Sequence, residues 1–297
     1  MMKFILIADN EKLEKNFFPW WQVLVFISVI ILIFIVIFPK NLFDKILKEN
    51  RSSPAVLNYL QAYKHIYPND PQIILNIIEQ QINLGLLKAA RENIAEIKAN
   101  PKWKSADIIN QLRFCNYLII RHQAYQTKPN TKLRISYLQK LRNMTKELAN
   151  APLKPQQLQT IAHDSLAVAQ SDLALKIYNH LFAINALTTS DELAEGGNIA
   201  MQNNSHIDSA KFYKAAYLKT SNLSEKKPYA LEVIKVLWQA KLLNEALAYA
   251  QKLPEDLIND KETLLYLAQL AIAANRPDIA EEYALKALLI KADNHDE

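Results

Sequence analysis

Six histidines, one cysteine and neighbouring carboxylates such as Glu281-Glu282 and Glu255-Asp256 are the side chains here whose types could do chemistry. His65, His122, His163, His180, His206 and His295 are scattered, and none has a second His or a Cys at metal-ligand spacing, so each reads as a surface or groove residue. Cys115 is the only thiol, which excludes an internal disulfide and a multi-thiolate zinc site. Its neighbours Leu112, Phe114, Leu118 and Ile119 make it a small buried hydrophobe. Glu281-Glu282 and Glu255-Asp256 could be paired for acid/base work, but the second pair follows Pro254 in an expected inter-helix loop, and both read as solvated. With only Gly85, Gly196 and Gly197, no phosphate-cradling loop or dinucleotide fingerprint can be written, and neither G-x-S-x-G nor H-E-x-x-H occurs. The expectation is a protein that is not an enzyme and has no metal site and no cofactor.

The elements that carry these residues follow from the same scarcity. An average chain of 297 residues holds about twenty glycines, and this one holds three. Sheets need glycine at hairpins and bulges, so the composition predicts an all-α fold whose turns are built on Asn, Pro and Lys.

From Val23 to Phe38 only Ser28 is polar, Trp20 and Trp21 precede the run, and Pro19 and Pro39 bracket it. Nineteen residues from Trp20 reach about 28 Å at ~1.5 Å each, close to the hydrocarbon thickness of a bilayer. Fifteen apolar side chains favour insertion by on the order of 5 to 9 kcal/mol. No small-x-small site follows, only Pro39, Lys40, Asn41, Leu42 and Phe43, so the segment reads as an uncleaved anchor that places Trp20 to Phe38 in the lipid bilayer. The expected organisation is a tail at 1–16, a transmembrane helix at 17–39, an amphipathic linker at 40–53 and a helical domain at 54–297. Lys3, Lys12 and Lys15 nearly balance Lys40, Lys45, Lys48 and Arg51 across the span.

Charge is distributed unevenly. Residues 98–154 carry 12 Lys/Arg against 2 Asp/Glu, whereas residues 155–297 carry 13 against 19. Such a central basic band could meet anionic lipid or nucleic acid, or be a set of solvated helix faces.

Helix starts are legible at Ser53-Pro54, Asp70-Pro71 and Lys154-Pro155. One pattern recurs, an apolar helix, a tight polar turn and a second helix with an early alanine, in DPQIILNIIEQQINLGLLKAARENIAEI, QLQTIAHDSLAVAQSDLALKIYNHLFAIN, SDELAEGGNIAMQNNSHIDSAKFYKAAY, YALEVIKVLWQAKLLNEALAYAQKL and ETLLYLAQLAIAANRPDIAEEYALKAL. In the last four the alanine is Ala174, Ala210, Ala246 and Ala280, at spacings of 36, 36 and 34. This resembles the tetratricopeptide repeat: Ala162 with Ala174 and Ala268 with Ala280 stand where that repeat has small residues at the helix crossing, and Gly85 stands at its turn glycine. The resemblance implies a TPR-like α-solenoid of antiparallel helix pairs. It departs after Ala287, where the repeat's proline is missing, and at residues 103–150, which fit as two longer irregular helices split at TKPN (127–130).

The order of tail, span, SPAVLNYLQAYKHIYPNDPQIILNIIEQQINLGLLKAAR and ETLLYLAQLAIAANRPDIAEEYALKAL is also similar to the N-terminal repeat region of Pel-type exopolysaccharide export proteins. That family precedes an outer-membrane barrel with a membrane-anchored periplasmic scaffold. No barrel segment is written in these 297 residues, so the resemblance implies the scaffold and not the channel. It also implies an inner-membrane, single-pass protein with a cytoplasmic N-terminus and a periplasmic C-terminal domain. The expected function is therefore a membrane-anchored TPR scaffold for protein-protein contacts in an envelope assembly system, polysaccharide secretion included. The alternative is a cytoplasm-facing adaptor whose band 98–154 touches anionic lipid or nucleic acid.

First helices of such repeats line a concave groove, which nominates Gln159, His163, Glu195, Gln202, Lys235, Trp238 and Gln269 as binding residues, Trp238 foremost because Trp is favoured at interaction hot spots. Repeats that clamp a peptide C-terminus do so with Lys and Asn, whereas Leu75, Gln159, Glu195, Leu231 and Leu265 occupy those positions here. At the far end a final helix from about Asp278 to Lys291 carries Leu285, Leu288 and Leu289 beyond its packing alanines. These leucines are expected to dock a partner or a second copy.

Overall fold

The computed structural model describes residues 20–37 and 52–290. The tail at 1–16 and nearly all of the linker at 40–53 lie outside the described residues. Among those described, every regular element is a helix, as the glycine count implies. The chain falls into two compact units, residues 1–59 and 60–297.

In the first unit α1 runs Trp20–Ile37. Helix α2, Pro54–Ile66, begins there and continues into the second unit. Its start is the one read from Ser53-Pro54, for Val56 N donates to Ser53 Oγ at 3.2 Å. Helix α1 is 18 residues long. Among the described residues no helix is long and apolar enough to cross a membrane.

The second unit is built of helix hairpins: α3 (Pro71–Asn83) with α4 (Leu87–Ala99), α5 (Ala106–Gln126) with α6 (Lys132–Leu148), α7 (Pro155–Ala167) with α8 (Ser171–Ala183), α9 (Ser190–Gln202) with α10 (His206–Lys219), and α11 (Leu223–Gln239) with α12 (Leu243–Ala250). A one-turn helix α13 (Glu255–Ile258) leads to the last pair, α14 (Lys261–Ala273) and α15 (Pro277–Leu289). Neighbouring pairs also touch, α3 with α5, α6 with α7, α8 with α9, α10 with α11 and α12 with α14. This is a solenoid-like stack of helix pairs.

One turn geometry recurs inside five of the pairs. Gly85, Ala169, Asn204, Lys241 and Asn275 all have φ between 55° and 76°. Just after each, a backbone N–H reaches five residues back: Leu86 to Gln81 O at 2.7 Å, Gln170 to Ser165 O at 2.8 Å, Ser205 to Ala200 O at 2.8 Å, Leu242 to Leu237 O at 2.9 Å and Arg276 to Ala271 O at 2.8 Å. These are Schellman caps, which satisfy the last carbonyls of the first helix while reversing the chain. Gly85 takes the place read for it, and Asn and Lys supply two of the remaining types, as expected of a glycine-poor chain.

Five or six residues past each left-handed residue comes the early alanine, Ala90, Ala174, Ala210, Ala246 or Ala280, and all five are buried. With no side chain beyond Cβ, it lets the two axes approach. The pair α9/α10 goes further. A Cβ on Gly196 would stand 2.8 Å from Phe212 Cδ1, and one on Gly197 2.8 Å from Tyr213 Cε2, so two aromatic rings pack against bare backbone.

Internal helices bury two sides. In α10, Ala210 and Tyr213 join the core shared with α11 to α15, while Phe212 and Ala216 join the core of α5 to α9. In α5, Leu112, Cys115 and Ile119 face α3 and α4, and Phe114 and Tyr117 face the next pairs. Cys115 is thus the buried hydrophobe expected, although Phe114 turns to another cluster.

In the irregular region α5 and α6 are long and part at Thr127–Asn130, where Asn130 has φ 60° and Thr131 caps α6. Two details differ. Glu255-Asp256 is not in a loop but in the first turn of α13, whose Leu257 and Ile258 are buried. Helix α12 is only eight residues long, because Pro254 lies just ahead and cannot continue it.

Candidate binding face

The first helices α7, α9, α11 and α14 present a shared face. Gln159 on α7 donates from Nε2 to Glu192 Oε1 on α9 at 2.9 Å, and one turn along, His163 Nδ1 stands 3.1 Å from Glu195 Oε1. Tyr178 on α8 donates its hydroxyl to the other Glu195 oxygen at 2.5 Å. Three of the nominated residues, Gln159, His163 and Glu195, therefore meet in one polar patch. Burial and the Glu195 carboxylate together push the Tyr178 hydroxyl well above its ordinary pKa, so it stays a donor.

Glu192 does two tasks. It completes a capping box with Thr189, accepting the Thr188 and Thr189 N–H groups at 2.6 and 3.0 Å while Thr189 Oγ1 accepts from Glu192 N at 3.2 Å. Burial works against its charge, but the Gln159, Thr189 and Thr188 hydrogen bonds outweigh that and hold its carboxyl below the usual range. The Thr-x-x-Glu spacing of Thr189 and Glu192 is a sequence signal that could have added this residue to the nominated set.

Further along, Tyr229 on α11 donates to Asp191 Oδ1 at 3.0 Å, and Lys227 donates to Asp260 Oδ2, the cap of α14, at 2.5 Å. Burial opposes the Asp260 charge, and the Lys227 and Thr263 hydrogen bonds overcome it, so the carboxyl titrates low. Lys235 pairs with Glu232 at 2.9 Å. The Trp238 ring lies 5.2 Å from that of Tyr266, tilted by 34°. Between α11 and α14 the chain leaves an open groove of about 510 Å³, lined among others by Lys227, Leu231, Lys235, Asp260, Thr263 and Tyr266. Trp238 and Lys235 thus belong to a second patch.

Gln202 and Gln269 are exposed on α9 and α14, and no described hydrogen bond ties either to the two patches. Leu75, read as a groove position, is instead buried in the core of α3 to α5, because α5 packs directly on α3. At the far end Leu285, Leu288 and Leu289 are 53%, 76% and 82% exposed, while Ala280, Tyr283 and Ala287 of the same helix are buried.

A buried polar node went unread in the sequence. Asp164, only 2% exposed, accepts from Tyr117 Oη, from Arg121 Nε at 2.7 Å and from Tyr125 Oη at 3.0 Å. The donors stand one turn apart on α5, so Asp164 fixes α7 against the irregular hairpin. Among the described residues no group of three or more His, Cys, Asp or Glu could hold a metal ion.

No family profile matches this chain, and no curated protein is similar to it. Among solved structures, the human IFIT1 dimer with PPP-AAAA is 16% identical over 81% of this chain, with a TM-score of 0.35. The chain spans 60% of the length of that one. BtubC (BKLC) from P. vanneervenii is 16% identical, with a TM-score of 0.29, over 71% of this chain and 89% of its own.

Proposed function

We propose that this chain is a membrane-tethered helical-repeat scaffold that holds protein partners on the face of α7, α9, α11 and α14. The observation that carries the reading is the pairing, on that face, of a polar ladder (Gln159, Glu192, His163, Glu195) with an aromatic-walled groove beside Trp238 and Tyr266. An extended peptide needs both, hydrogen-bonding groups for its backbone and a half-apolar slot for an anchoring side chain. The tether is the apolar run Trp20 to Phe38, of which only Gln22 and Ser28 are polar. Its direction, with the N-terminus cytoplasmic and the repeats periplasmic, and a place in polysaccharide secretion, rest on the Pel-type resemblance.

A photo-crosslinking amino acid in place of Leu231 tests the groove. It is expected to capture a discrete partner from membranes, and the capture should disappear with Tyr266→Ala. Capture that is unchanged by Tyr266→Ala, or equally strong from a position on the opposite helices, removes the groove. A reporter fused at Glu297 that is active only in the cytoplasm removes the periplasmic reading and leaves an adaptor facing the cytoplasm.

A further inference from the structure

Helix α6 turns one side to the core and a very different one outward. Leu141, Thr145 and Leu148 are buried, with Leu138 and Met144 packed beside them. On the outer side Lys132, Gln139, Lys140, Arg142, Asn143 and Lys146 are exposed, and only one acid, Glu147, accompanies them. None of the ion pairs among the described residues uses Lys132, Lys140, Arg142 or Lys146. Of these four, Lys140 lies near the Tyr137 ring, 5.7 Å from Nζ to the centroid, while Arg134 on the same helix donates to Thr127 O at 3.0 Å.

The outer side is not uniformly polar. Leu133 and Ile135 are 55% and 62% exposed. Ile135, Gln139, Arg142 and Lys146 follow one another at helical spacing, so the isoleucine and two cations form one stripe, with Lys132 beside it. Leu133, two residues from Ile135, lies round the helix from that stripe, so the aliphatic group within it is Ile135. A nucleic-acid backbone uses the cations and leaves the isoleucine wet. An anionic bilayer surface uses both, with the cations at the headgroups and the isoleucine at the acyl boundary.

We propose that the outer face of α6 docks on anionic lipid headgroups of the membrane in which the chain is anchored. The inference rests on the tether proposed above, which raises the local lipid concentration enough for a single basic helix face to engage. Docking here would fix how the repeat stack lies on the membrane and leave the face of α7, α9, α11 and α14 for partners.

The test uses the full chain reconstituted into vesicles. Gln139→Cys labels selectively with a fluorophore, because Cys115 is buried and its burial drives the thiol pKa upward. With a headgroup-attached quencher, vesicles of mixed phosphatidylcholine and phosphatidylglycerol should quench the label at least about twofold more than phosphatidylcholine alone, and high salt should reverse it. The variants K132Q, R142Q and K146Q combined should abolish the difference while circular dichroism stays unchanged. Equal quenching in neutral and anionic vesicles overturns the proposal, and so does a label shielded by single-stranded oligonucleotide but not quenched by anionic lipid. Alkaline extraction reads the tether separately: a chain that washes out, yet shows the salt-sensitive quenching before extraction, removes the tether and keeps the face.

Discussion

Arg121 Nε donates to Asp164 Oδ2 at 2.7 Å across 43 residues of sequence, joining α5 to α7 at the place where the irregular hairpin meets the regular repeats. Tyr117 and Tyr125 complete the donors. Burial and the neighbouring carboxylate raise both phenols, Tyr125 to about 12, so each remains a donor at neutral pH. Replacing Asp164 by Ala removes the shared acceptor of all three, but only Tyr117 is buried while Arg121 and Tyr125 reach solvent, and we expect a loss of about 2 kcal/mol. Tyr117→Phe should cost about 1 kcal/mol. Urea unfolding of the full chain in mild detergent measures both, and a cost for Asp164→Ala within experimental error would remove the node from the stability of the stack.

Gly196→Ala and Gly197→Ala each gain about 1 kcal/mol of helix propensity, yet overpacking against Phe212 or Tyr213 costs about 1 to 3 kcal/mol. A net loss is therefore expected for both, since the Cβ would meet ring atoms at 2.8 Å. Phe212→Leu should recover part of the loss in the Gly196→Ala background and be destabilising by itself. Melting temperatures of the four-variant cycle decide it.

Ala169 and Lys241 hold left-handed backbone with φ of 57° and 60°. Glycine relieves the Cβ strain there at some cost in unfolded-chain entropy, for a net gain of about 0.5 to 1 kcal/mol each. Asn204→Gly, at φ 55°, should gain less, because Asn tolerates this region. Thermal unfolding that shows Ala169→Gly to be destabilising would contradict the strain.

Burial raises the Glu79 carboxyl above its ordinary 4.5, with Lys154 and Gln157 only partly offsetting it. A raised folded-state pKa means stability present below 4.5 and lost as pH rises through the folded value. Glu79→Gln should therefore stabilise the protein at neutral pH and flatten that stretch of the profile. Glu192 and Asp260 are lowered, so their contribution is present above 4.5 and 3.8 and disappears as pH falls. Glu192→Gln should weaken that acid limb, read by denaturant midpoints across pH.

Leu285→Asp with Leu289→Asp alters two exposed positions, so helical content and melting should stay within about 0.5 kcal/mol of the parent. Self-association or partner capture through this end is expected to weaken. Sedimentation showing a monomer at high concentration, together with partner capture unchanged by both substitutions, would sink the idea.

Much of the local structure was written in the sequence. Proline after Ser53, Asp70 and Lys154 marks helix starts, because its fixed φ and missing N–H suit the first turn. The 36, 36, 34 alanine register marks the crossings, because only a small side chain lets two axes approach. What only tertiary structure decided are the relations between elements distant in sequence. Asp164 looks like any surface carboxylate until α5 lays three donors over it, and Leu75 looks like a groove residue until α5 covers it. Lys235 and Trp238 share a patch with Tyr266 only because α14 packs beside α11, setting the Tyr266 ring by Trp238 and in the groove that Lys235 lines. Periodicity fixes which side of a helix is apolar, since that depends on neighbours three and four residues away. It does not fix which other helix meets that side, because the choice is settled by the shape and charge of surfaces brought together only when the pairs stack.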